Sequence, residues 1–375
     1  MFNTVLFDID GVMLSEERYF DASALTIYEL LGSPRFLGAD VGQPGISMTP
    51  DDEQIQAVRS AVFQRDQVLE RLKNVGVNAN WDMVYLGFVA EFAALLGQLP
   101  RTESVAKAVE AALRDGWTAD ALCQLGALIR ENIGSTRVAW QAYDDVFGRA
   151  TSRDELFAIA RALLREVAPE ADEQSLWALG RDTFQEWYLG DEYSGQSIGK
   201  QGFLASEQPL VAPESLALLF EQLKGRGIHL GIGTGRPRIE TEVPLTHFGW
   251  WSFFSVQYVT TASDVLQAET AVPAARPLSK PHPFSYLRSL TGEHEPQTLL
   301  AKSLPLDCRN EVLIVGDSIA DALAAKSLGA SFAAVLTGLE GELARPKFEE
   351  LKADFILNDV LALNDILLNQ SSVTQ

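Results

Sequence analysis

Two aspartates, Asp8 and Asp10, stand one residue apart in the segment LFDIDGVML, directly after an apolar run and just before Gly11. Like charges this close repel each other, and a divalent cation relieves that repulsion. A hard cation such as Mg2+ takes oxygen ligands, often one or two carboxylates together with phosphate and water. Two further carboxylates, Asp317 and Asp321, lie far along the chain in VGDSIAD. Gly11 and Gly316, beside the two acidic pairs, allow the backbone to come close to a ligand. Alone, a D-x-D is equally well explained by a strand-end turn with two solvated acids, so the surroundings must decide. They include Thr234, Gly235 and Arg236 in GTGR, and Lys280 and His282 in SKPH.

The elements that would carry these residues alternate. TVLF at the start of the chain forms a short, fully buried strand ending near Asp8. After about residue 205, further strands are expected at IHLGIGTG, VQYVTT, EVLIVGD, SFAAVLTG and ADFILND. Amphipathic helices come between several of them, among them APESLALLFEQLKGRG and SIADALAAKSLG. Strands alternating with helices imply a parallel sheet covered on both faces, an α/β doubly wound arrangement. In such sheets ligands bind beyond the carboxyl ends of the strands. FDID, GTGR and GDSIAD all fall at expected strand ends, and this convergence is the main clue to function.

Between about 16 and 200 the texture is helical throughout, with segments such as DEQIQAVRSAVFQRDQVLERLKNVG and SRDELFAIARALLREV. Several open on Asp, Ser or Thr, which can cap a helix. FLGADVGQPGISMTPDD, rich in Gly and Pro, is expected to be a loop. Residues 1–15 and 201–375 are therefore expected to form one α/β domain, interrupted by an all-helical domain at 16–200.

The chain has 375 residues, 22% of them charged, and a formal net charge of −21. That balance argues against nucleic acid or an anionic membrane as partner, since both demand a basic face. Cys123 and Cys308 are too isolated for a disulfide framework or a zinc site. No signal peptide and no membrane span are expected, which leaves a cytoplasmic protein. GIGTG contains G-x-G-x-G but lacks the third glycine of a dinucleotide fingerprint at the required spacing.

The ordered set DxDG, a strand ending in TGRP, then KP, then GDSxxD resembles the haloacid dehalogenase-like (HAD) superfamily of phosphohydrolases. The helical block resembles that superfamily's helical cap, although it is much longer than usual. The resemblance implies that Asp8 is the nucleophile, attacking phosphorus to form an aspartyl-phosphate. It implies that Asp10 is general acid towards the leaving alkoxide and then general base towards water. Asp317 would complete an Mg2+ site with the Asp8 carboxylate and the backbone carbonyl of Asp10. Thr234 would donate to the phosphoryl oxygens, and Lys280 would offset the charge that builds up on them. Asp321 would position the metal's waters or the lysine. Ser318 either assists or is a turn hydroxyl. Arg236, next to Gly235, either holds a phosphate or carboxylate group of the substrate or pairs with a neighbouring acid. His282 is expected to have a structural role.

The implied function is a Mg2+-dependent phosphatase acting on a small-molecule phosphate monoester. A phosphomutase would share the same core residues. A phosphonatase would need an amine from the helical block, where Lys73, Lys107 and Lys200 are available and nothing in the sequence marks any as buried. Asp10 counts against a dehalogenase, which typically lacks an acid two residues after its nucleophile. A non-catalytic protein that binds a partner through the helical block is the alternative from another class. The sequence leaves the oligomeric state open.

Overall fold

The computed structural model of the protein describes residues 2–77, 79–134, 137–169 and 171–368. Its six strands are β1 (Thr4–Phe7), β2 (His229–Gly233), β3 (Val259–Thr260), β4 (Val312–Gly316), β5 (Ser331–Val335) and β6 (Phe355–Leu357). They form one parallel sheet in the order β3-β2-β1-β4-β5-β6. All six expected strands are present, and the order reverses at β1, as in a doubly wound sheet.

The central strands β1, β2 and β4 are largely apolar because both their faces are covered. Val5 and Phe7 of β1 point into one core with Phe220, Leu245 and Trp250. Leu6, on the opposite face, packs with Leu278, Leu287 and Ala324. The same alternation splits Leu313 and Val315 from Val312 and Ile314 in β4. Each fully buried side chain of this size stabilises by about 1.5–3 kcal/mol. The register sets Phe7 beside Ile232 and Val315, so β1, β2 and β4 end at one level.

The chain divides into two compact units, Met1–Glu16 with Leu204–Gln375, and Glu17–Phe203. In the second unit the helix Glu17–Gly32 packs against Asp52–Val62, Asn80–Leu96 and Glu173–Ser194. No described residue of this unit belongs to the sheet. Asp51, Thr102, Thr118, Ser152 and Asp172 each accept a backbone N–H as helix caps. The stretch from Asp52 to Asn74 holds two helices, Asp52–Val62 and Gln67–Asn74. Gln64, Arg65 and Asp66 all have left-handed backbones there, and Asp66 receives the guanidinium of the buried Arg59 at 2.7 and 2.9 Å.

Lys200 lies fully buried in the helical unit, a burial that nothing in the sequence marked. Its Nζ is 2.6 Å from Glu29 and 2.8 Å from Glu186. Arg35 donates twice to Glu186, and Trp187 Nε1 donates to Glu29. Two cations thus balance two carboxylates, the condition under which burial of charge is tolerated. Among the described residues no helix is long and apolar enough to cross a membrane.

Candidate active site

Asp8 is the first residue beyond β1, and its backbone N–H continues the ladder to the Val315 carbonyl at 2.9 Å. Its own Oδ1 accepts the N–H of Ile9, which fixes the carboxylate at the strand mouth. At the end of β4 the chain turns through Asp317 into the helix Ile319–Leu328. Ser318 caps that helix: its Oγ lies 2.6 Å from Asp321 Oδ2 and also accepts the Asp321 N–H. Ser318 thus forms one half of a capping box with Asp321.

The cap brings three acids together. One carboxylate oxygen from each of Asp8, Asp317 and Asp321 falls within 4.8 Å of the others. Lys280 reaches into the same cluster, 2.9 Å from Asp8 and 2.7 Å from Asp321. Tyr286 donates its hydroxyl to Asp321 at 2.7 Å, and its ring lies under the Lys280 ammonium.

The titration of these groups follows their surroundings. Burial pushes the Asp8 carboxyl up to about 7; Lys280 opposes that shift, and the charges of Asp321 and Asp10 add to it. Burial also works to raise Asp321, but Lys280 and the hydrogen bonds from Ser318 and Tyr286 outweigh it and hold that carboxyl low. For Lys280 burial favours the neutral amine, yet Asp321 and Asp8 overcome it and keep the ammonium charged. Asp8 is thus raised chiefly by its burial, with the neighbouring acids adding to the shift.

The backbone leaves room at this cluster and nowhere to spare. Gly11, at φ 67°, and Gly338 both lie against Asp317: a Cβ at either would sit 2.1 or 2.0 Å from its Oδ2. Thr337 donates its hydroxyl to the Gly11 carbonyl, tying the turn after β5 to the turn after β1. Three hard oxygen donors gathered this closely suit a divalent cation such as Mg2+.

Asp10 faces another way. Its Oδ1 accepts from Arg236 Nε at 2.8 Å and Nη2 at 2.6 Å. Of the two readings of Arg236, pairing with an acid is the one observed. Thr234 is buried after β2; its N–H goes to the Thr260 carbonyl, and its Oγ1 accepts the Arg236 N–H. Gly235, between them, has open space where a Cβ would be. His282 Nδ1 accepts the Phe284 N–H at the start of the helix Phe284–Thr291, a structural role.

Three contributors had escaped the sequence reading. Tyr286 looks like one more core aromatic on an amphipathic helix. Gly338 belongs to a strand-end LTG with no acid to draw attention. Glu207, which binds Arg236 Nη1 at 2.5 Å, sits in a stretch without any motif.

Comparison with known proteins bears on this arrangement. The family model described as haloacid dehalogenase-like hydrolase matches residues 2–329. An X-ray structure solved as target ZR25 of the Northeast Structural Genomics Consortium is 33% identical, covers 98% of this chain and 99% of its own, and superposes with a TM-score of 0.79. A predicted phosphoglycolate phosphatase from Haemophilus somnus 129PT is 17% identical over 97% of both chains, with a TM-score of 0.41. A HAD family hydrolase from Deinococcus radiodurans R1, solved with bound phosphate and sodium, is 12% identical over 98% of this chain and 96% of its own, also at 0.41. No curated protein matches. With the family model spanning most of its length, this chain belongs to the haloacid dehalogenase-like hydrolases.

Proposed function

We propose that the protein is a Mg2+-dependent phosphatase that hydrolyses a small-molecule phosphate monoester through an aspartyl-phosphate on Asp8. The observation that carries this reading is the meeting of Asp8, Asp317, Asp321 and Lys280 at the carboxyl ends of β1 and β4. Asp8, Asp317 and the backbone carbonyl of Asp10 would hold the cation, with Asp321 close by. When bound, Mg2+ would neutralise the carboxylates and the phosphate, and so allow an anion to attack an anion.

Each remaining role falls to a side chain. An oxygen of Asp8 attacks phosphorus and the P–O bond to the alcohol breaks. Asp10 delivers its proton to the departing alkoxide, leaving a neutral alcohol and a carboxylate. The Asp10 carboxylate then takes a proton from water, whose oxygen attacks phosphorus. The P–O bond to Asp8 breaks, and inorganic phosphate departs. Thr234, whose Oγ1 already accepts the Arg236 N–H, keeps its hydroxyl hydrogen for a phosphoryl oxygen. Lys280 offsets the charge on the same oxygens.

The amines that a phosphonatase would need are engaged elsewhere. Lys200 is locked between two carboxylates, and Lys107 pairs with Glu103 on an exposed helix face. Lys73 lies over the ring of Phe20. This favours ester hydrolysis over Schiff-base chemistry.

Phosphate release from p-nitrophenyl phosphate and from a panel of sugar and organic-acid phosphates tests the reading. Activity should require Mg2+, vanish with a chelator and fall at least about 10³-fold in Asp8→Asn. Turnover that survives either change overturns it.

A further inference from the structure

Building on the reading of Asp10 as proton donor and acceptor, we infer that Arg236 and Glu207 form a positioning pair for it. Arg236 fixes one oxygen of the Asp10 carboxylate, and Glu207 fixes Arg236.

Arg236 is 1% exposed, and its guanidinium is directed wholly at protein partners. Nε and Nη2 both donate to Asp10 Oδ1. Nη1 donates to Glu207 Oε1 at 2.5 Å and to the Glu240 carbonyl at 3.3 Å. A guanidinium placed to clamp a phosphate or carboxylate ligand would present two parallel N–H groups to the cleft. Here both edges are taken, so Arg236 acts through Asp10 and not on substrate.

The manner of the grip is informative. An Arg–carboxylate fork normally engages both oxygens, one N–H to each. In this pair both N–H groups converge on Oδ1, which leaves Oδ2 outside the grip, and the Asp10 side chain keeps 22% of its surface exposed. One oxygen is thus an anchor, and the other is available for proton transfer. A general acid must be held within hydrogen-bond reach of the atom it serves, and rotation of a carboxylate by tens of degrees takes it out of reach.

Glu207 is what keeps the anchor still. Its side chain is 2% exposed, and a carboxylate that deeply buried demands a cation. It follows the short turn Leu204–Ser206, on a stretch that pairs with the segment leaving Asp10. Ser15 N–H donates to the Gln208 carbonyl, Leu210 N–H to the Met13 carbonyl, and Leu14 bridges Pro209. The backbone bonds between 13–15 and 208–210, together with the side-chain chain Asp10–Arg236–Glu207, close a loop of fixed size. The backbone N–H of Arg236 also rests on Thr234 Oγ1, so the same turn sets two groups of the site.

The test compares wild type, Arg236→Met and Glu207→Gln on two probes, p-nitrophenyl phosphate and glycerol 2-phosphate, with Mg2+ affinity measured separately by calorimetry. Nitrophenolate departs without a proton, whereas glycerol needs one. Arg236→Met should lower kcat on glycerol 2-phosphate about 10²-fold or more, with KM and the Mg2+ dissociation constant within about 3-fold of wild type. On p-nitrophenyl phosphate the first step should be largely spared. Water activation still needs Asp10, so an acyl-phosphate trappable by hydroxylamine should accumulate. Glu207→Gln should show the same contrast more weakly.

Equal losses of the first-step rate on both probes, read from the nitrophenolate or glycerol burst, an unchanged kcat on glycerol 2-phosphate, or a loss confined to KM or Mg2+ binding would overturn the assignment. If Arg236→Met does not fold, the double variant Arg236→Met/Glu207→Met removes both buried charges and is read in the same way. A wild type that releases phosphate from neither probe sinks the phosphatase reading itself. An active wild type whose variants show no leaving-group contrast sinks only the positioning pair.

Discussion

Lys280 lies between two carboxylates, Asp8 and Asp321, with an ion pair to each. Removing a single member of such a group leaves uncompensated buried charge, typically a loss of about 3–5 kcal/mol. Lys280→Gln should therefore lower stability by an amount in that range in the absence of divalent ions, as read from urea unfolding. Added Mg2+ should recover part of the loss, because a cation at the same cluster supplies the missing positive charge. Recovery by Na+ alone at matched ionic strength would show that the deficit is ordinary screening. Tyr286 shows why such residues are hard to foresee. Its hydroxyl matters only because the helix Phe284–Thr291 happens to face Asp321 across the sheet's end.

At the scale of elements, the site is four strand ends, of β1, β2, β4 and β5, and the turns that leave them. The turn after β1 and the turn after β5 close on Asp317 from two sides, with no side chain at either point of contact. Gly338→Ala should push the Asp317 carboxylate out of the cluster and raise the Mg2+ dissociation constant at least about 10-fold by calorimetry, with little change in the fold. An unchanged constant would mean that Asp317 can shift rotamer without leaving the ion. The strands were legible chiefly as short apolar runs, and at β1 and β4 because aspartates break those runs abruptly. The capping box of Ser318 and Asp321 was half legible, since S-x-x-D before an apolar run is a helix start whatever else it does. Arg236 carried two readings that only its partners could separate. Glu207 was invisible, because its contact with Arg236 depends on how the chain re-enters the α/β unit and on no local pattern. The break between the helices Asp52–Val62 and Gln67–Asn74 carries no Gly or Pro: Gln64, Arg65 and Asp66 adopt left-handed backbones there, with Asp66 held by Arg59.

At the scale of the molecule, two compact units share one chain, and every candidate cation ligand belongs to the unit Met1–Glu16 with Leu204–Gln375. A ligand that binds only the folded form stabilises by mass action, about 2.7 kcal/mol at a hundredfold excess over its dissociation constant. Scanning calorimetry should accordingly resolve a transition that Mg2+ raises and another that it leaves in place. Asp317→Asn should abolish the shift. Equal movement of both transitions would mean that the units unfold as one.

The centre of the sheet is β1, and its neighbours on either side, β2 and β4, are made only after the whole helical unit. As the chain leaves the ribosome, Thr4–Phe7 must therefore wait, apolar and unpaired, while Glu17–Phe203 acquires partners close to itself in sequence. Long-range parallel pairing is slow, because loop closure must precede any reward from contact. Asp8 therefore reaches its place only once β1 has paired with strands made more than two hundred residues later.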